Sequence, residues 1–150
     1  MTVSVQEADF DVGAEVAALS AGRPKVGAVA SFVGLVRDLS EGSQVAAMTL
    51  EHYPGMTEAA LQDIVEQAHA RWRLDAVRVI HRVGRLGPGD RIVFVGVAGA
   101  HRGETFAACE FIMDYLKTRA PFWKKEETPD GARWVDARDS DDSAAARWEQ

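Results

Sequence analysis

The sequence has one cysteine, no long apolar run and no excess of positive charge, and each absence excludes a class of protein. Because Cys109 stands alone, the chain cannot form an internal disulfide, a cysteine-rich zinc site or a cysteine-to-cysteine sulfur relay. No run approaches the roughly 20 apolar residues that a membrane-spanning helix needs, and the N-terminus lacks the basic start and apolar stretch of a signal peptide. We therefore expect a cytoplasmic protein in which Cys109 serves core packing rather than nucleophilic attack.

The charge of the chain is acidic overall but unevenly distributed. The formal net charge of −6 argues against general adhesion to nucleic acid or to anionic membranes, which are held mainly by positive charge. In contrast, residues 117–125 contain Lys117, Arg119, Lys124 and Lys125 and no acidic residue. A cationic patch on an acidic protein predicts a small anionic ligand or one acidic partner surface.

The hydrophobic periodicity predicts one domain over residues 1–150, without repeats or a linker, of the α+β class with mostly antiparallel strands and three helices. The tail after about residue 138 is expected either to fray or to become helical. The predicted helices cover 12–19, the segment from an N-cap at Thr57 to Trp72, and Glu104 to about Arg119. The predicted strands cover 2–6, 27–36, 44–52, 77–83 and 92–98, with a final hairpin around 122–126 and 133–137.

The junction at His101 and Arg102 lies between a predicted strand and the start of a helix. It places two potential cations beside free N–H groups at a helix N-terminus, a combination that suits phosphate or another oxyanion. The structural alternative is that His101 caps the helix and Arg102 pairs with Glu104. The common phosphate-loop and dinucleotide-binding glycine motifs are absent, so the usual nucleotide folds are not supported.

Three lysines, Lys117, Lys124 and Lys125, flank Pro121. A lysine that is crowded by other cations or partly desolvated has a lowered pKa and can act as an acid, a base or a nucleophile near neutral pH. The structural alternative is that these residues complement the dipole at the end of the helix and stay solvated. Considered alone, Arg37 is interpreted as a surface residue.

The histidines of the chain do not form a metal-binding pattern. His52, His69 and His81 have no metal-ligand spacing with one another or with Cys109, so we expect no metal site. His69 on its helix and His81 within its strand are both interpreted as structural. No arrangement of a nucleophile with a histidine base can be assigned from spacing.

Five segments of the sequence form an ordered set of motifs: Gly27-Ala28-Val29 through Phe32-Val33-Gly34-Leu35-Val36-Arg37-Asp38, Leu50 to Thr57, His81-Arg82-Val83-Gly84 with Gly89-Asp90, Ala100-His101-Arg102, and Ile112 to Glu126. In this order and spacing they resemble the large, catalytic subunit of molybdopterin synthase. Together they span most of residues 27–138. Gly99 departs from the family, which is expected to have a small hydroxyl residue there, and 103–105 departs from the usual small-residue helix start.

This resemblance implies an α/β hammerhead fold with an antiparallel β subdomain and a role in molybdenum cofactor biosynthesis. It implies a homodimer flanked by two small ubiquitin-like subunits in a heterotetramer. The C-terminal thiocarboxylate of each small subunit would enter a pocket of the large subunit. Its sulfur would convert cyclic pyranopterin monophosphate (precursor Z) into the dithiolene molybdopterin. The chain would be a sulfurtransferase without a metal or other cofactor of its own, because the partner supplies the sulfur.

The resemblance also implies roles for individual residues. Lys117 would be the principal catalytic lysine, either in proton transfer or as a transient amine nucleophile, and Lys124 would orient or stabilise anions. The residues implied to bind phosphate and pterin are Arg37, His101, Arg102 and, with a looser match, Arg138, with His101 and Arg102 open to being supplied by the neighbouring protomer. The alternative function is a non-catalytic adaptor that docks a ubiquitin-like sulfur-carrier protein.

Overall fold

Two four-stranded sheets, with helices packed on the first, and a small two-stranded sheet form the protein in a computed structural model that describes residues 2–40, 42–135 and 139–149. The strands are β1 (Val3–Gln6), β2 (Ala28–Leu35), β3 (Leu39–Ser40), β4 (Ser43–Gln44), β5 (Ala47–His52), β6 (Ala76–Arg82), β7 (Gly84–Leu86), β8 (Arg91–Gly99), β9 (Phe122–Thr128) and β10 (Gly131–Val135). The helices are α1 (Val12–Ser20), α2 (Met56–Arg71), α3 (Arg102–Arg119) and α4 (Asp139–Ala146), followed by a 3-10 turn at Arg147–Glu149.

The first sheet has the strand order β1-β6-β8-β2, and it carries the main core. β1 pairs with β6 in parallel, whereas β6–β8 and β8–β2 are antiparallel. The apolar run of β8 is buried on both faces because side chains alternate along a strand: Val95 faces the cluster formed with α2 and α3, and Phe94 faces α1. Gly96 is needed here, since a Cβ at that position would lie 2.5 Å from Cδ1 of Leu19.

The start of α2 differs from the prediction. The helix begins at Met56 rather than after Thr57, because Gly55 adopts a φ of 86° and directs the chain into the first turn. Glu58 Oε1 accepts a hydrogen bond from the Gly55 amide at 3.2 Å, and Thr57 is buried and bonds the backbone of Tyr53 through its hydroxyl. The predicted N-cap at Thr57 is therefore wrong.

The second sheet has the order β10-β9-β5-β7 and is antiparallel throughout. The link 84–90 between β6 and β8 joins an antiparallel pair, as its short glycine-rich sequence predicts. Its first three residues also form β7, which pairs with β5. The chain therefore crosses from the first sheet to the second at Gly84, where φ is 87°.

The α+β class and the mostly antiparallel pairing are confirmed. Of the two alternatives predicted for the tail, the helical one is observed: it forms α4, which raises the number of α-helices from the predicted three to four in the described residues. What holds the tail is the turn that follows α4: Trp148 packs edge-on against Trp72 and Phe111, and its indole N–H donates to Asp114 at 2.7 Å. In the described part of the chain, no helix has the length and apolar character that crossing a membrane requires.

Candidate active site

A cavity of about 350 Å³ lies between the second sheet and the C-terminal end of α3. It combines apolar walls with charged side chains that come from separate parts of the sequence. The polar lining residues are Arg37, Ser40, His81, Lys117, Lys124, Glu126 and Asp141. The volume is in the range that holds a small-molecule ligand, and the mixture of charges can orient an anionic one.

Lys117 and Lys124 reach this cavity from two different elements. Lys117 lies in the last turn of α3, and Pro121 separates that helix from β9. Along β9 the side chains alternate, so Phe122, Lys124 and Glu126 line the cavity while the intervening residues face outward. The two lysines that the resemblance singles out are therefore brought together by the fold.

Lys125 does not join them, because it lies on the opposite face of β9. Its ammonium is 5.6 Å from the centre of the Trp134 ring, on the outer face of the second sheet. The cationic patch identified in the sequence is thus divided by strand alternation. Only one of its two adjacent lysines faces the cavity.

Arg37 follows β2 and lines the same cavity, beside Val36. It is exposed, so its guanidinium can still meet a ligand that enters from solvent. The interpretation of Arg37 as a mere surface residue was incomplete, because the end of β2 forms part of the cavity wall. Arg138, the fourth residue implied to bind anions, lies outside the described residues.

His101 and Arg102 lie at the opposite end of α3, and neither lines this cavity. Arg102 and Lys117 are 117 − 102 = 15 positions apart on one helix, which corresponds to about 22 Å along its axis. The side chains of His101 and Arg102 are both exposed. His101 is the N-cap residue of α3, although its side chain makes no capping bond, and among the described residues no ion pair joins Arg102 to Glu104.

The sequence analysis missed His81 as a cavity residue. Its side chain is 5% exposed, its ring stacks on Phe122 at 3.8 Å, and Nδ1 lies 2.8 Å from the carbonyl oxygen of Arg82. Burial is the main cause that lowers the pKa of His81 to about 4; the hydrogen bond to Arg82 opposes it, and the charges of Lys117 and Lys124 add to it. A histidine read as a structural member of its strand therefore forms a neutral part of the cavity floor.

Glu126 was also missed, although its place two residues after Lys124 could have revealed it. Residues two apart share a face of a strand, so a strand that directs Lys124 inward directs Glu126 inward as well. Glu126 is buried and pairs with Arg133 at 3.3 Å, and Arg133 also donates to the Ser40 carbonyl at 2.9 Å. These bonds connect β9 and β10 to the short strand at the cavity rim.

Cys109 lies in the main core, away from the cavity. Its Sγ is 3.7 Å from the carbonyl oxygen of Val95, and burial raises the pKa of the thiol to about 11. The prediction that it serves core packing is confirmed. Among the described residues, no group of three or more His, Cys, Asp or Glu side chains is placed to hold a metal ion.

Comparison with known proteins identifies the family. The family model described as MoaE protein matches residues 5–119. The chain belongs to the MoaE family. A molybdopterin synthase catalytic subunit from Ralstonia nicotianae is 68% identical over 147 residues, covering 98% of this chain and 84% of that protein. The family inferred from the sequence motifs is therefore confirmed.

Solved structures of the family show the same fold. The molybdopterin biosynthesis MoaE protein from Burkholderia ambifaria is 62% identical, with a TM-score of 0.85 over 99% of this chain and 98% of that one. A more distant structure, at 17% identity and a TM-score of 0.74 over 91% of both chains, is a protein-protein complex of subunits 1 and 2 of molybdopterin-converting factor from Helicobacter pylori. The fold expected from the resemblance is confirmed.

Proposed function

We propose that this chain is the catalytic subunit of a molybdopterin synthase, a sulfurtransferase of molybdenum cofactor biosynthesis. The observation that carries the proposal is the convergence of Lys117, from α3, and Lys124, from β9, on one cavity. Because the chain belongs to the MoaE family, we assign this pair of lysines to the synthase reaction. The cytoplasmic location expected from the sequence remains a prediction.

The sulfur donor is the C-terminal thiocarboxylate of a small ubiquitin-like subunit, and the acceptor is cyclic pyranopterin monophosphate. Both are anionic, and the cavity offers them the positive charges of Arg37, Lys117 and Lys124. The Helicobacter pylori complex of two subunits supports a small-subunit partner. The reaction requires no metal or organic cofactor on this chain, because the partner brings the sulfur.

The family resemblance implies a role for each cation, and its position at the cavity supports that role. Lys117 acts either in proton transfer or as a transient amine nucleophile, and its position at the cavity supports both roles. Lys124, facing it from β9, stabilises the negative charge that develops on the acyl group and on the substrate. Arg37 binds the phosphate at the rim.

His101 and Arg102 bind the same substrate only if they come from a second protomer, because about 22 Å of helix separates Arg102 from Lys117 within one chain. We therefore place them across a homodimer interface, within a heterotetramer that also contains two small subunits. Phe106, one turn further along α3, is 65% exposed, and a large apolar side chain beside these cations supports burial against another copy.

Reconstitution tests this function directly. The purified chain is mixed with cyclic pyranopterin monophosphate and a small subunit that carries a C-terminal thiocarboxylate, and the dithiolene pterin is detected as a fluorescent oxidation product. We expect product from the unaltered chain and a loss of at least about 100-fold in Lys117→Ala, which removes an acid–base or nucleophilic group. Lys125→Ala, one residue beyond Lys124 on the outer face, serves as the matched control and retains turnover.

The contradicting outcome separates this function from the adaptor alternative. A stable complex with the small subunit that leaves the thiocarboxylate intact in the presence of the pterin contradicts the synthase and favours the adaptor. Normal turnover by a folded Lys117→Ala protein contradicts the central role of that lysine.

A further inference from the structure

The most informative group without an assigned role is His81, at the floor of the cavity. It is almost fully buried, yet it lines the space into which Lys117 and Lys124 project. Ionisable side chains are rarely buried without a partner or a purpose, because burial disfavours their charged form. Its place beneath two lysines therefore needs an explanation that packing alone does not give.

Geometry determines which form of the imidazole is present. Nδ1 lies 2.8 Å from the carbonyl oxygen of Arg82, and a carbonyl oxygen can only accept a hydrogen bond. Nδ1 must therefore carry the proton and donate it. In the neutral ring Nε2 is then unprotonated, and it is the ring nitrogen left to accept a hydrogen bond from the cavity side.

The ring is also held in place. It stacks on Phe122 with an interplanar angle of 18°, and the backbone around it is fixed by pairing of His81 with Val5 on one side and Val93 on the other. An acceptor held this firmly can direct a flexible side chain. A lysine amino group needs such direction, because four rotatable bonds separate it from the backbone.

We propose that His81 is a positioning residue for sulfur transfer: its Nε2 accepts a hydrogen bond from the amino group of Lys117 and holds that group towards the substrate. Both side chains line the same cavity, and the charge of Lys117 is among the causes that lower the pKa of His81. The catalytic role of His81 rests on the proposed function. The proposed hydrogen bond between His81 and Lys117 does not depend on that function.

The surroundings of the His81 ring keep the imidazole neutral at neutral pH. The other titratable groups around it are Lys124 and Glu126 from β9, His52 from β5, Arg37 after β2 and Asp141 from α4. With two lysines beside it and a pKa of about 4, the imidazole accepts hydrogen bonds without becoming a competing cation at neutral pH. A neutral acceptor can orient Lys117 whether the lysine acts as a nucleophile or in proton transfer.

The first test observes the hydrogen bond in the full chain, without turnover. In protein labelled with ¹⁵N-histidine, we expect NMR to show a proton on Nδ1 of His81 and an unprotonated Nε2 from pH 8 down to about pH 5.5, because its pKa lies near 4. Lys117→Met shifts the Nε2 signal, whereas Lys125→Met, on the outer face of β9, does not. A proton on Nε2, or a signal that does not respond to Lys117→Met, overturns the proposal.

The second test uses two substitutions that each imitate one ring nitrogen. In His81→Asn the amide can still donate to the Arg82 carbonyl, but nothing accepts at the position of Nε2. In His81→Gln the amide oxygen reaches that position, and the bond to Arg82 is lost. We expect kcat to fall about ten- to a hundredfold in His81→Asn, with a KM for the pterin within about twofold, and His81→Gln to recover part of the loss.

A merely structural role gives the reverse order, because His81→Asn keeps the backbone bond. Equal losses in the two variants, or a larger loss in His81→Gln, therefore overturn the proposal, as does an unchanged kcat in His81→Asn. His69→Asn, at an exposed position of α2, controls for the loss of a histidine. If the unaltered chain forms no product, the proposed function fails by itself, and the NMR measurement still decides the hydrogen bond.

Discussion

The two ends of α3 carry the same kinds of residue but lie in different surroundings. At the C-terminal end, Lys117 meets Lys124, Glu126 and the buried His81 around one cavity. At the N-terminal end, His101 and Arg102 are exposed and contact no comparable group of charges within the described chain. The comparison teaches that the fold brings Lys117 into a group of charged side chains from other elements, whereas it leaves His101 and Arg102 facing solvent.

The electrostatics of the helix give these ends different abilities. Free N–H groups and the positive end of the dipole lie beside His101 and Arg102, so this end favours phosphate. The negative end of the dipole lies beside Lys117, and Lys124 lines the same cavity from β9.

The largest expected effect comes from recombining the two ends in one dimer. Arg102→Ala and Lys117→Ala should each lower product formation strongly when present in both protomers. A dimer that contains one chain of each kind has one site with Lys117 from one protomer and Arg102 from the other, so it should recover about half of the unaltered activity. Two affinity tags allow this mixed dimer to be purified and assayed.

The matched control is a mixed dimer in which one chain carries Lys117→Ala and the other carries Lys124→Ala. These lysines line one cavity of a single chain, so the mixed dimer has no intact site and should stay inactive. Recovery in both mixed dimers, or in neither, contradicts a site shared between protomers.

A smaller effect is expected for the buried His81, which should make the free energy of unfolding depend on pH. When unfolded, His81 has its ordinary pKa of 6.5, whereas in the folded protein the pKa is about 4. As pH falls between these values, the unfolded chain binds the proton first, so the free energy of unfolding decreases, by about 2.5 kcal/mol from His81 alone at pH 4.5. His81→Gln should remove this part of the pH dependence in denaturant unfolding at pH 7.5 and 4.5.

The exposed histidine at the other end of α3 provides the comparison. His101→Gln, which removes an exposed histidine instead of the buried one, is measured at the same two pH values as the control for the substitution itself. Equal pH dependence in the His81→Gln and unaltered proteins contradicts the burial of a neutral His81.

The smallest effect is expected for Arg119, two residues beyond Lys117 at the same end of the helix. Its guanidinium lies 3.9 Å from the centre of the Tyr115 ring and pairs with Glu149, away from the cavity. Exposed ion pairs contribute little, so Arg119→Gln should lower Tm by at most about 3 °C and leave kcat within about twofold. A large loss of kcat would show that a charge outside the cavity is also needed for the reaction, which would contradict the comparison.

Much of the fold follows from local patterns in the sequence. The apolar run of β8 and the stripe of α3 predict a buried strand and the helix that covers it, and both occur nearly as expected. The start of α2 does not, because the left-handed conformation of Gly55 moved the cap upstream of Thr57. The fourth helix depends on contacts of Trp148 with Trp72 and Phe111, which are distant in sequence.

The site was predictable where a motif carried it and not where tertiary placement did. Lys117 and Lys124 stand out in the segment around Pro121 and meet at the cavity. His81 carries no local sign of its role, because only the packing of β6 beside β9 brings it beneath the lysines. The roles of Arg37, His101, Arg102 and the lysines remain predictions until the variants are assayed.

The buried thiol of Cys109 has a consequence for how the protein can be handled. With its pKa raised to about 11, it stays in the thiol form at neutral pH, and thiolate is the form that alkylating agents and oxidants attack. If the chain receives sulfur as we propose, it has no reactive thiolate of its own that could divert that sulfur. The folded chain should need no reductant during purification, and modification by iodoacetamide should report unfolding rather than loss of activity.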